Sequence, residues 1–354
     1  MNTIPVLKPS CTDREIELVT QVLRSGWWGQ GPVVEQFEAL LAKRYVGMQA
    51  VTVNSATAAL HLALVDLDVG PGDEVILPAM TFVSTGLAVL YCGAKPVFAD
   101  IKPDTLTLDW VDVSRKITVR TKAIIPVDYA GYPALDWCEC VIMPNDLPLV
   151  QDAAHSCGGR QYGDRICFSF HPVKNLATGD GGAILTYSKE SVEHLRALRW
   201  CGIDRSTYQR TGKTYAWDYD IQEVGYKAHW NDVQAAIGLA QLERLDDLNA
   251  RRREIAERYT TRLAGKVVTP VSHHQHTWHL YVIQVEERER LIDALAAEGI
   301  STGVHYKPLT HYPIFEGDCP VTEAVWTKLL TLPVFYDLSN EQVDFICDKL
   351  LSVL

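Results

Sequence analysis

Positive charge is in deficit: 33 Lys and Arg stand against 44 Asp and Glu, a formal net charge of -11. Phosphate backbones are bound by clustered Lys and Arg, so nucleic acid is excluded as the main partner, while one small anion held locally is not. Low-complexity tracts and repeats of solenoid period are missing, and 47% of the 354 residues are hydrophobic. That composition excludes disorder as the dominant state, and at about 100–200 residues per domain the length suggests two domains or one large one with an appendage. Met1–Ser10 lacks a basic stretch followed by an apolar core, so no secretory signal is expected. The nine scattered cysteines then read as reduced thiols of a cytoplasmic protein. Zinc spacing is missing too, because Cys138-x-Cys140 has no second pair. His273, His274, His276 and His279 precede a strand in a surface turn, where solvated rings are expected. No metal is expected.

Two nucleotide fingerprints fail for want of a residue. Gly29-Gln30-Gly31 has Val34 where a third glycine is required, and Gly212-Lys213-Thr214 has Thr207 in place of the first glycine of a phosphate loop. Charge is absent from one stretch only that could span a bilayer, Val75–Ala94. Pro78, Thr81, Ser84, Thr85 and Gly86 interrupt it, so it reads as a strand (Glu74–Leu77), a loop (Pro78–Ser84) and a buried helix (Thr85–Tyr91). No membrane insertion is expected.

What is present is an alternation of short apolar strands with helical patterns. Helices are predicted at Arg14–Arg24 and Val34–Tyr45, flanking the loop Ser25–Pro32. Strands are predicted at Ala50–Val53, Glu74–Leu77, Lys95–Ala99, Lys122–Val127, Leu149–Gln151, Ile166–Phe170 and Gly182–Thr186. Their near-continuous Val and Ile content is that of strands covered on both faces. The fold class is therefore α/β, a mostly parallel seven-stranded sheet in a large domain (1–240) with a smaller α+β C-terminal domain (241–354). One long helix is predicted after Asn231, to about Arg262, followed by a strand (His279–Val285) and helices at Glu289–Glu298 and Asn340–Val353.

In such sheets ligands sit beyond the carboxyl ends of the strands. Four features fall there. Lys174 follows the strand ending at Phe170. Asp152 ends an apolar strand, where a carboxylate is costly unless it meets a cation. Ser55-Ala56-Thr57 opens a helix after a strand, where free amides and the helix dipole hold phosphate. Phe82 puts an aromatic ring on another post-strand loop. Pyridoxal 5'-phosphate needs such a lysine, an acid partner for its ring nitrogen, a phosphate cup and a ring cover.

The stretches SGWWGQGP, NSATAALHLAL, PGDEVILPAMTFVST, QDAAHS, SFHPVKNLATGDGGAI, GYKAHWNDVQAAIGLAQLERL and STGVHYKPL, in this order, resemble the DegT/DnrJ/EryC1/StrS family. These are sugar aminotransferases of the aspartate aminotransferase fold, type I. The resemblance implies that Lys174 forms the Schiff base and that Asp152 pairs with the pyridinium nitrogen. It places His155 near the pyridine hydroxyl, Phe82 on the ring, and Ser55, Ala56, Thr57 and Ser169 around the phosphate. It implies a homodimer in which the GYKAHWND segment reaches the partner's cofactor phosphate. Lys227 stands there where many members have asparagine and His229 where many have arginine, so either is the candidate contact. Asp180 replaces a frequent glutamate. Lys174 stands where dehydratase branches carry histidine, which favours transamination. Trp27, Trp28, His305 and Tyr306 are the candidates for lining the substrate site. The implied reaction converts a nucleotide-linked 3- or 4-keto-(6-deoxy)hexose to an amino sugar with L-glutamate as donor. The alternatives are a keto-cyclitol aminotransferase using glutamine and a non-catalytic, cofactor-binding regulator.

Overall fold

The computed structural model describes residues 3–135, 147–203, 217–221 and 223–354. Cys138, Cys140 and Gly212–Thr214 lie outside them. Two helices come first, α1 (Asp13–Ser25) and α2 (Pro32–Lys43). Glu15 starts α1 by accepting the Thr12 amide at 2.9 Å, and Gly26 ends it in the left-handed conformation at φ 76°. Pro32 opens α2 at the position where a missing N–H costs nothing.

Strands and helices then alternate: β1 (Gln49–Val53), α3 (Ala56–Asp66), β2 (Glu74–Pro78), α4 (Val83–Tyr91), β3 (Lys95–Ala99), α5 (Trp110–Lys116), β4 (Thr121–Ile124), β5 (Val150–Asp152), β6 (Arg165–Ser169), β7 (Gly182–Thr186) and α6 (Lys189–Leu198). The seven expected strands are all found, with bounds shifted by up to three residues. β3, β2 and β4 pair in parallel, as do β5 and β6. Parallel bridges Ile124–Leu149 and Val127–Asp152 join the two groups. β7 runs antiparallel between β6 and β1. The order is thus β3-β2-β4-β5-β6-β7-β1, and every residue of β2, β5, β6 and β7 is buried. The charge-free run resolves into β2, a loop and α4, whose Thr85, Gly86, Ala88 and Val89 are buried. Among the described residues no helix is long and apolar enough to cross a membrane.

The chain continues through α7 (Asp232–Glu243), α8 (Leu245–Leu263), β8 (Tyr281–Gln284), α9 (Arg288–Ala297), α10 (Pro320–Trp326), β9 (Leu329–Leu332) and α11 (Asn340–Val353). The single helix expected after Asn231 is two. Arg244 breaks it at φ -113°, ψ 8°, although the apolar periodicity continues across the break. Leu242 and Leu245 belong to the core beneath the sheet, with Phe37, Phe168 and Trp230. Ile255, Ala256, Tyr259 and Leu263 of the same α8 belong to a second core with β8, β9, α9 and α11. Ile4 reaches that second core and bridges Ile300.

Candidate active site

The strand ends decide what meets. β5 stops on Asp152, β6 on Ser169, and β1 just before Ser55; β7, running the other way, brings Gly182 to the same edge opposite Ser169. Gly181 precedes it at φ 150°, where a Cβ would meet Trp230 Nε1 at 2.6 Å, so the turn out of the site takes no side chain.

Asp152 is buried. Its Oδ2 accepts from Thr85 Oγ1 at 2.8 Å and its Oδ1 from the Ala154 amide at 3.2 Å; Thr85 in turn bonds Thr81 at 2.7 Å. Burial raises the Asp152 carboxyl above its usual range, opposed by those two bonds and by the charge of Lys174. Lys174 sits in the turn after β6, its amide bonded to the His171 carbonyl at 2.9 Å. Burial lowers its amine to about 8, against the pull of Asp152 and with help from Arg252.

At the start of α3, Ser55 accepts the Ala58 amide at 3.1 Å, and Thr57 Oγ1 lies 2.7 Å from Ser84 Oγ. The amides of Ala56 and Thr57 belong to the first helical turn and have no carbonyl partner within it. His155 is buried, and its Nδ1 accepts the Ala130 amide at 3.2 Å. Nε2 therefore carries the ring proton and faces Tyr306 Oη at 3.1 Å. Burial first, then Lys174 and His305, push His155 well below its ordinary value, so the ring is neutral. Phe82 is 55% exposed, 5.8 Å between ring centres from Tyr306. Tyr129 donates its hydroxyl proton to the His305 carbonyl.

These side chains enclose one cavity of about 370 Å³, within the usual range for a small-molecule site. Ser55, Ala56, Thr57, Phe82, Asp152, His155, Ser169, Lys174, His305 and Tyr306 all line it. The donor set fits pyridoxal phosphate: a buried carboxylate, an amine with a lowered pKa, and unpaired helix amides beside two hydroxyls.

Residues 9–351 match the model of the DegT/DnrJ/EryC1/StrS aminotransferase family. The chain belongs to that family. It is 38% identical to the spore coat polysaccharide biosynthesis protein SpsC of Bacillus subtilis, over 99% of this chain and 97% of SpsC. Spr1654 from Streptococcus pneumoniae, solved in its PLP form, superposes with a TM-score of 0.91 at 33% identity, covering 99% of this chain and 98% of that one. The sugar aminotransferase CalS13 from Micromonospora echinospora gives 0.90 at 29% identity, covering 99% and 100%.

Four candidates lie outside this cavity. Trp27 donates to the Gln30 carbonyl at 3.1 Å, and Trp28 is 58% exposed, bonded to the Leu23 carbonyl; neither lines the cavity. The Lys227 ammonium sits 3.5 Å over the Trp200 ring, outside the cavity. His229 meets the same ring edge to face at 4.2 Å, and burial, Lys227 and Arg199 lower it to about 4. The histidine turn needs correction. His274 is exposed and His273 half-buried, but His276 and His279 are buried: His276 stacks on Trp278 at 3.8 Å, and His279 packs against His155. Sequence reading also missed Thr85 and Thr81, the hydroxyl chain behind Asp152. The missing charge around them in Val75–Ala94 is the signal that pointed there.

Proposed function

We propose that this protein is a pyridoxal-phosphate-dependent aminotransferase that converts a nucleotide-linked 3- or 4-keto-(6-deoxy)hexose to an amino sugar, with L-glutamate as amino donor, as a homodimer with shared sites. The observation that carries it is the convergence of Lys174, Asp152 and the α3 amides on one cavity. Family membership supports aminotransfer. The expected cofactor is supported by the PLP form of Spr1654, and the sugar by the relatives SpsC and CalS13.

When bound, the cofactor supplies an electron sink for the carbanion at the donor's alpha carbon. The residues have the remaining tasks. Asp152 would hold the proton on the ring nitrogen. Lys174, at about 8, is partly unprotonated near neutrality and takes the proton from the donor's alpha carbon. The Ala56 and Thr57 amides, with Ser55 and Ser169, hold the phosphate. His155 orients the ring hydroxyl through its donor nitrogen. Phe82 covers the ring and keeps water from it, and His305 and Tyr306 face the substrate. In the dimer, Lys227 is the cationic candidate of the GYKAHWND segment for the partner's phosphate, since burial lowers His229 to about 4.

The test is spectroscopic. Purified protein with the cofactor is yellow, and Lys174→Ala loses the lysine-linked absorbance and turnover. The pyridoxamine form is then offered a panel of nucleotide-linked 3- and 4-keto sugars and keto-cyclitols. Loss of its spectrum identifies the acceptor, and a form that none of them reoxidises refutes the sugar assignment.

A further inference from the structure

His279 is enclosed, 1% exposed, with Nε2 at 3.5 Å from Lys174 Nζ. Its other ring nitrogen, Nδ1, has no hydrogen-bond partner among the described residues. A histidine kept only to fill a core pairs its ring nitrogens, because an orphaned buried polar atom bears its whole desolvation penalty. The ring instead packs at a tilt against His155, 4.3 Å between centres at 40°. Its backbone carbonyl takes the Arg252 guanidinium at 3.4 Å, which also donates to the Val334 carbonyl at 3.0 Å. Arg252 is buried and makes no ion pair among the described residues. The imidazole is thus fixed in place with one nitrogen committed to the lysine.

We propose that His279 is a positioning residue for Lys174, its unprotonated Nε2 accepting a hydrogen bond from the lysine ammonium and holding that side chain at the cavity wall whenever its covalent bond to the cofactor is open. This rests on the aminotransferase reading above, and deepens it.

The surrounding charges agree. The charges acting most on His279 are those of His155, Lys174, Arg252 and His305, and each disfavours its protonation. Burial comes first, and these neighbours add to it, so the ring stays unprotonated near neutrality. An ammonium only donates, so Nε2 accepts and the proton sits on Nδ1. Lys174 faces Asp152, which raises it, and Arg252, which lowers it. An acceptor for the charged amine holds its pKa up; removing that acceptor lowers it.

The experiment labels the full-length chain, freed of cofactor, with an amine-reactive reagent across about pH 6–10. Mass spectrometry of the Lys174 peptide gives the midpoint of its reactivity. His279→Phe is expected to move the midpoint down by about one pH unit, the effect of losing a hydrogen bond to a charged group. His279→Ala removes the same acceptor with a smaller side chain and gives the same shift if the larger ring prevents folding. His279→Gln keeps an acceptor and restores the wild-type midpoint. An unchanged midpoint in both His279→Phe and His279→Ala overturns the proposal, and so does a shift that His279→Gln fails to restore. Colour on adding pyridoxal phosphate is read on the same samples. Protein that shifts as expected but takes no colour refutes the cofactor reading alone, and coloured protein without the shift refutes His279 alone.

Discussion

Replacing Thr85 by valine removes one hydroxyl from behind Asp152 and leaves the shape nearly unchanged. Thr85 is fully buried, and its bond to Asp152 Oδ2 at 2.8 Å is a hydrogen bond to an ionised group. Such a bond stabilises the carboxylate by about 1.5–3 kcal/mol. Its loss raises the Asp152 carboxyl further beyond where burial already holds it. A carboxyl raised above its unfolded value of about 3.9 destabilises the fold above its folded pKa, and the penalty vanishes as pH falls below the unfolded value. The variant's added cost is therefore greatest at neutral pH and shrinks towards about pH 4. A second, pH-independent part comes from Thr81, 2% exposed, which loses its 2.7 Å partner. Urea unfolding of the cofactor-free chain across this pH range measures both parts. A destabilisation by Thr85→Val that is the same at pH 7 as near about pH 4 refutes the claim that Thr85 sets the ionisation of Asp152.

Phe82→Ala weakens cofactor binding about two- to tenfold, the contribution of one aromatic contact, without lowering the melting temperature of the cofactor-free protein, because the ring is 55% exposed. An absorbance titration and a thermal melt check the two halves. Glu38 is buried, accepting Thr52 N and Oγ1 at 2.9 Å each, Arg199 at 2.5 Å and Arg196 at 3.1 Å. Burial pushes its carboxyl up, but Arg199, Arg196 and the bonds outweigh that and lower it. Its stabilisation is present above about pH 4.3 and lost as pH falls through the lowered folded value. Glu38→Gln, by stranding Arg199, costs about 3–5 kcal/mol near neutrality in denaturant unfolding, with the loss fading in acid. Gly31→Ala places a Cβ 2.4 Å from Trp27 Nε1 and 2.7 Å from Asp232 Oδ2, while Asp232 Oδ1 accepts the Gly31 amide at 2.9 Å. It is expected to cost about 1–3 kcal/mol and to shift tryptophan fluorescence; an unchanged spectrum rules out the contact.

Much of the fold was legible because local and tertiary requirements coincide in it. Strands such as EVILP and GAILT carry near-continuous apolar runs because both faces are covered, and that pattern is visible without coordinates. Lys174, Asp152 and the α3 start were legible because each breaks a local rule, a polar group placed at the end of a buried strand. The break at Arg244 was not legible, since apolar residues recur through it and the two cores they enter differ only in space. Nor was β9, a four-residue apolar run whose partner β8 lies 45 residues upstream. The burial of His279 was not legible because a histidine-rich turn is usually wet, and its ring contacts, His155 and Lys174, are distant in sequence.

The chemical inventory of this protein was determined by its sequence: a lysine, an acid, a helix start and a ring on post-strand loops, because strand ends and helix caps are local matters of residue order. Which of those groups share a cavity was decided by tertiary structure alone. Val127–Asp152 bridging and the reversed β7 bring β5, β6 and β1 to one edge. The same packing sets Trp27, Trp28 and Lys227 apart from that cavity and brings His279 to Lys174, 105 residues away in sequence. Distances across so many residues follow from how the two cores meet, which no local pattern encodes.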